Sequence, residues 1–422
     1  MRGLSDTEAA SAYSHALLGG SGRLTASFDV DGVVPLEQVG RAVEPWIRRL
    51  APLSLRIEDT GGDGLRFRRG APGPCPVQAY PAVDEGEDTL AEGGRLWRLR
   101  AGHDRGGSTR FRLTLHPAIC DGYSTARYVR PLLDALFAPP GHDAGQVRGQ
   151  ALPPGTDALT YEGGGACTCG VCMPSGSPRR VRRTTTPYAG HGPYGGGRRE
   201  LHDGPGPGRA GDAVTLALTS YESRRLRDWC EARQLTVSGF LSTVLADALA
   251  RETGCEEVTV ATSVSLRRRY AERTLIAEPG CVTGTVRVPL RSGAGGDPVS
   301  RAGAHAAALC AAARAWRPDR RAHAVIRRSV EREAAGTGIP ELRVTDAGSV
   351  DTALGPHTGR MTGFRAAAAP GAGQPGGTLH LSSFKGALTL ALTSRGLGTG
   401  WPAVAERELA EAALLRPALL PA

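Results

Sequence analysis

The 422 residues carry 51 Lys and Arg against 42 Asp and Glu, a formal net charge of +9, with 40% hydrophobic and 22% charged residues. That length suggests two or three domains, and the balance is that of an ordinary soluble chain able to pack cores. The charge is almost wholly arginine. Its densest run, Ser177 to Arg183, lies among prolines and glycines without stacking aromatics nearby, which argues against nucleic-acid binding, and a basic face could equally attract an acidic protein.

The opening MRGLSDTEAASAYSH has no continuous apolar segment, and nothing approaches the roughly 18 uncharged apolar residues of a membrane span. The expectation is a cytoplasmic chain without a membrane span, in which the nine cysteines form no structural disulfides.

In chain order, the first element is a strand with Leu24, Ala26, Phe28 and Val30 on one face, turned at Asp31-Gly32. Pro35 then starts a helix whose apolar face holds Leu36, Val39, Val43, Ile47 and Leu50. Farther on, Phe111, Leu113 and Leu115 alternate with Arg112 and Thr114, the period of a half-buried strand delivering His116 and Pro117 to its end. Gly122 allows a tight turn, and Ser124 is placed to cap a helix striped by Tyr128, Val129, Leu132, Leu133 and Leu136. Pro131 lies inside that stripe and should kink or restart the helix, because it lacks an N–H and crowds the preceding turn.

From about Pro139 to Asp212 the chain is rich in glycine and proline with no helical or strand period, as in a linker or mobile loop. The division is therefore an N-terminal half over 1–140, a linker over 141–212 and a C-terminal half over 213–422. Inside the linker, Cys167, Cys169 and Cys172 have spacing that could bind zinc with His191 or His202. No second pair follows at finger-like spacing, so free or redox-active thiols are the expectation and no metal site is assigned.

After the gap, Thr219 or Ser220 begins a helix through Leu226 and Trp229, and Thr236 caps another carrying Phe240, Leu241, Val244, Leu245, Ala248 and Leu249. Strands follow at Val258 to Val264 and Val286 to Leu290. A hairpin near the end pairs Leu379 and Leu381 with Leu388, Leu390 and Leu392 around Lys385-Gly386.

The segment His116-Pro117-Ala118-Ile119-Cys120-Asp121-Gly122 resembles the HHxxxDG signature of the condensation-type acyltransferases, with proline in place of the second histidine. Other stations resemble the same superfamily in order and spacing. Ala51 to Arg56 is close to its "HPxLR" turn, Ser265-Leu266-Arg267 to "pvsLR", Gly280 to Gly284 to "vGNfv" with Cys281 for asparagine, and Val344 to Gly348 to "vsNlG". The chain is most similar to the phthiocerol dimycocerosyl transferase branch of stand-alone enzymes.

The resemblance implies an α/β fold of two chloramphenicol-acetyltransferase-like halves in a pseudo-dimer with a central tunnel. A carrier-protein phosphopantetheine or coenzyme A thioester would enter it as donor and a small hydroxyl or amine acceptor from the other side, in secondary or lipid metabolism, with no bound cofactor. It also implies that Asp121 and Gly122 shape the loop, that Asp121 pairs with Arg267, and that Cys120, Tyr123 and Cys281 stand by the tunnel. In the family the second motif histidine is the general base, and here Pro117 holds that position. His116 is the remaining catalytic candidate of the motif. Pro117 biases it to extended backbone, where neighbouring side chains point to opposite sides, so its ring should face away from the tunnel as a packed histidine. Three readings stay open: an acyltransferase that is slow or uses another route, a non-catalytic protein that binds a carrier protein or ligand, and a decayed pathway gene.

Overall fold

The computed structural model describes residues 2–61, 64–70, 77–79, 90, 94–104, 106–138, 152–159, 213–269, 277–292, 297–335, 338–370, 375–398 and 400–412. The first part of the chain runs α1 (Asp6–Leu17), β1 (Leu24–Val30), α2 (Leu36–Arg49), β2 (Leu55–Asp59), β3 (Leu65–Arg69), β4 (Val77–Ala79), β5 (Trp97–His103), β6 (Thr109–Leu115) and α3 (Thr125–Leu136). The second part runs β7 (Ala213–Ala217), α4 (Ser220–Glu231), α5 (Val237–Thr253), β8 (Glu257–Ser265), β9 (Thr283–Arg291), α6 (Pro298–Ala315), α7 (His323–Ala334), β10 (Glu341–Ser349), α8 (Asp351–Leu354), β11 (Met361–Ala368), β12 (Gly376–Phe384), β13 (Ala387–Arg395) and α9 (Trp401–Ala410). Cys167, Cys169, Cys172, His191 and His202 lie outside the described residues.

These strands make a five-stranded sheet in the order β11-β1-β6-β5-β4, a six-stranded sheet in the order β7-β13-β12-β10-β8-β9, and the small hairpin β2-β3. The first sheet is not built from the first part of the chain alone. β11 crosses over and pairs antiparallel with β1, Leu24 opposite Ala368 and Phe28 opposite Phe364. On the other side of β1, Phe28 lies opposite Phe111 of β6, and the two rings stack with centroids 5.0 Å apart. The helix α7 also comes back, packing on α1 and placing Ile326 and Val330 in the first core.

Local sequence explains the helices. Ser5 and Glu8 cap the start of α1 reciprocally, as Thr219 and Glu222 do for α4, each pair satisfying two otherwise orphaned backbone donors. Thr236 accepts from the Gly239 N–H at the start of α5, and Gly254 closes that helix in the left-handed conformation at φ 66°. α5 is buried along most of its length against the six-stranded sheet, with Leu241, Leu245 and Leu249 in the same core as Leu379 and Leu381 of β12.

β12 is buried over all nine residues, because it is covered on both faces. Leu379 and Leu381 face the core shared with α5. The alternate residues face the first half: Phe384 belongs to the core of that half and its ring lies 6.5 Å from Phe364 of β11. The hairpin β12-β13 has Leu379 opposite Leu392 and Leu381 opposite Leu390, the pairing its alternation predicts. Its tight turn puts Lys385 at φ 49° and Gly386 at φ 81°, where glycine is unstrained.

Candidate active site

The motif loop leaves β6 at Leu115 and enters α3 at Thr125, so its geometry is fixed at both ends by buried elements. Two expectations about its exit are corrected. Ser124 does not cap α3: its backbone is helical and its side chain makes no cap bond. The hydroxyl accepts instead from Arg267 Nη2 at 2.6 Å and from the Gly280 N–H at 2.9 Å, while donating to the Gly280 carbonyl at 2.9 Å. A stronger, charge-assisted set of partners from across the chain has won over the local cap. Pro131 does not restart α3 either; the helix runs continuously from Thr125 to Leu136, because the buried stripe of Tyr128, Val129, Leu132 and Leu133 outweighs the lost backbone bond.

Asp121 and Arg267 meet at 2.5 Å, with side chains only 3% and 2% exposed. The second lobe of the carboxylate is also used. Oδ2 accepts from the Val282 N–H and Oδ1 from the Ser124 N–H, both at 2.9 Å. Arg267 donates further to the carbonyl of Gly280 at 3.1 Å and lies over the Tyr123 ring at 4.7 Å. Buried charges persist when they are paired and hydrogen-bonded, and this pair ties the loop to the segment before β9. Tyr123 is also covered by Arg127, whose guanidinium binds its hydroxyl and, at 2.8 Å, the Ala277 carbonyl.

His116 is turned into the first half. Its N–H donates to the Leu96 carbonyl at 2.8 Å, its Nδ1 accepts from the Ala118 N–H at 3.1 Å, and its ring packs on His15 with centroids 4.3 Å apart. Burial, and secondarily His15, holds its pKa well below the ordinary histidine value. A neutral ring whose Nδ1 lone pair is taken by a backbone N–H carries its proton on Nε2. In that tautomer it is a hydrogen-bond donor with no free lone pair for a base. Pro117 is buried, its ring near Gly22 of the α1–β1 turn.

Cys120 is buried at the start of the loop, beside Thr125, and desolvation pushes its thiol pKa far up. Cys281 is likewise buried and its pKa raised by burial. Both thiols are therefore held un-ionised, poor nucleophiles and poor bases.

One contact had no counterpart in the sequence reading. Gly122 sits directly on the six-stranded sheet: a Cβ there would stand 2.4 Å from Thr345 Cγ2 and 3.2 Å from His380 Cε1. Thr345 and His380 are ladder partners across β10 and β12, and Thr345 Oγ1 bonds Ser263 Oγ of β8 at 3.3 Å. The motif glycine thus rests on a polar row of the other half. Among the described residues no cluster of three His, Cys, Asp or Glu side chains is arranged to hold a metal ion, and no helix is long and apolar enough to cross a membrane.

No family profile and no curated protein sequence matches the chain. Solved structures do. Polyketide synthase associated protein 5 from Mycobacterium tuberculosis superposes with a TM-score of 0.64 at 18% identity, covering 98% of both chains. Trichothecene 15-O-acetyltransferase from Fusarium sporotrichioides gives 0.66 at 11% identity over 98% of this chain and 95% of that one. The first condensation domain of the CDA synthetase gives 0.58 at 18% identity over 98% and 96%. The chain has the fold of the condensation-type acyltransferases. Within that fold, two chloramphenicol-acetyltransferase-like halves are joined where Asp121, Ser124 and Gly122 of one meet Arg267, Gly280, Thr345 and His380 of the other.

Proposed function

We propose that the chain is a stand-alone condensation-type acyltransferase, moving an acyl group from a carrier-protein or coenzyme A thioester to a hydroxyl or amine in secondary or lipid metabolism. The observation that carries this reading is the seating of the motif loop. Asp121 is bound by Arg267, Ser124 N–H and Val282 N–H, a buried charge network whose effect is to hold one loop shape at the junction of the halves. Fold alone hosts many functions, so the weight falls on this loop. Donor and acceptor would meet beside it, in a tunnel between the halves, and holding two reactants in register supplies much of the rate in such transfers.

A second reading is favoured by one specific position. Pro117 has no ionisable group where this superfamily's signature places a histidine, which suits a protein that binds a carrier protein or its acyl arm without turnover. Incubation with acyl-carrier and acyl-coenzyme A thioesters and a panel of alcohols and amines, read by mass spectrometry, separates the two. Ester or amide product above the uncatalysed background supports transfer. Saturable carrier binding with no product across the panel supports the binding reading.

A further inference from the structure

The imidazole of His380 has no exposure to solvent, and neither of its nitrogens has a hydrogen-bond partner among the described residues. Ser382, two residues along β12 on the same face and 2% exposed, also has an unpartnered hydroxyl. Buried polar groups left unpaired are uncommon and costly. Two of them side by side, on the sheet face that the motif loop covers, are not a packing device. Leucine would serve packing better, as it does at Leu379 and Leu381 on the opposite face.

Their position is at the motif. His380 Cε1 lies against Gly122, and both ring nitrogens flank that carbon. The other histidines close to the loop are committed elsewhere: His116 accepts from the Ala118 N–H, and His15 is packed on His116 on the far side of the loop.

We propose that His380, supplied by β12 of the second half, is the residue that takes the acceptor's proton in this chain, and that Ser382 binds the acceptor beside it; the proposal rests on the acyltransferase reading. The acceptor O–H or N–H gives its proton to the free imidazole nitrogen as its oxygen or nitrogen bonds to the thioester carbonyl carbon. The C–S bond then breaks, the departing thiolate takes the proton back from the imidazolium, and the products are ester or amide plus free thiol. Burial holds the imidazole pKa at about 4, so the ring is neutral and carries a free lone pair at neutral pH.

Variants at His380 and Pro117 test this in the full chain with acetyl-coenzyme A and the acceptor panel. His380→Leu fills the space without the unpaired nitrogens, so its Tm should equal or exceed the wild type while turnover falls on the order of 10²-fold or more. Adding Pro117→His to that variant should restore transfer at least about tenfold, since it supplies an imidazole in the loop itself. Wild-type turnover in His380→Leu overturns the assignment. So does a collapsed Tm in both His380→Leu and His380→Gln, which makes the residue structural, and so does a double variant as slow as His380→Leu when Pro117→His alone is fast. A wild type and a Pro117→His variant that are both inert across the panel overturn the acyltransferase reading itself, and the base with it.

Discussion

Arg267 and Asp121, 146 residues apart in sequence, form a 2.5 Å ion pair buried between the two halves. Removing one partner strands the other. Asp121→Ala should therefore cost about 3–5 kcal/mol and lower Tm sharply, because it leaves a buried guanidinium without its counter-ion. Joint replacement by Asp121→Leu and Arg267→Met should cost less than the sum of the single changes, the signature of a coupled pair. Chemical denaturation of the four proteins in that cycle provides the measurement, and additive losses would mean that the pair does not hold the loop.

Ser124 offers a separate reading of the same junction. Its hydroxyl serves Arg267, the Gly280 N–H and the Gly280 carbonyl at once. Ser124→Ala should destabilise the protein by about 1–3 kcal/mol, the range for buried partners left unpaired. A simple helix cap would lose only about 1 kcal/mol, and Ser124→Asn, a good cap, would then be neutral. Loss with both variants, followed by thermal unfolding, is the expected outcome.

Much of this was legible in the sequence, and the limits have physical causes. The Asp121–Arg267 pair, the caps at Thr219 and Thr236 and the β12-β13 hairpin follow from local signals or from the motif. The helix α1 was missed although Ser5 and Glu8 spell a capping box, because the helix buries polar Glu8 and His15 among its alanines and has no clear apolar stripe. The strand β11 alternates buried Phe364, Ala366 and Ala368, yet nothing local says it pairs with β1 more than 330 residues earlier. Ser124 read as a cap because a serine before a helix is locally ambiguous. His380 sits between Leu379 and Leu381 and reads as the solvent face of a strand; only the fold shows that the motif loop covers that face.

Gly122 tests that contact directly. Its backbone is not in the left-handed region, so the obstacle to a side chain is steric alone: a methyl group would stand 2.4 Å from Thr345 Cγ2. Gly122→Ala should destabilise by about 1–3 kcal/mol through overpacking. Adding Thr345→Ser removes the opposing methyl and keeps the hydroxyl that bonds Ser263, so the double variant should recover most of the lost Tm. Failure of that rescue would place the loop away from β10.

Stability should fall on mild acidification. His15 and His380 each have a pKa held at about 4 by burial, with Arg23 as a second cause for His15, and His116 is shifted the same way. The unfolded chain titrates near about 6.5. Because the folded values are the lower ones, the unfolded state binds more protons in between. The contribution is complete above about pH 6.5 and is lost as pH falls towards 4, to the extent of about 3 kcal/mol for a group such as His380. Tm measured from pH 7 to 4.5 should decline less steeply in His380→Leu than in the wild type; parallel curves would mean that the ring is not buried in neutral form.

Restoring the motif is the most direct test of what Pro117 removed. The loop is held from outside position 117, by Asp121, Ser124 and Tyr128, whose hydroxyl donates to the Ile119 carbonyl at 2.7 Å. Pro117→His therefore leaves those bonds intact and returns a backbone N–H, so its effect on Tm should be small, within about 1 kcal/mol. Its effect on transfer should be modest while His380 is present and at least about tenfold with alcohol acceptors in the His380→Leu background, where the new imidazole has no competing base. The new ring would be the immediate neighbour of His116, whose Nδ1 is already occupied, so the gain should be insensitive to His116→Asn. Measuring kcat in the His380→Leu/Pro117→His protein with and without His116→Asn decides the point. A gain that vanishes with His116 would mean that the two rings work as a pair and that the wild-type His116 is closer to catalysis than its packing against His15 suggests.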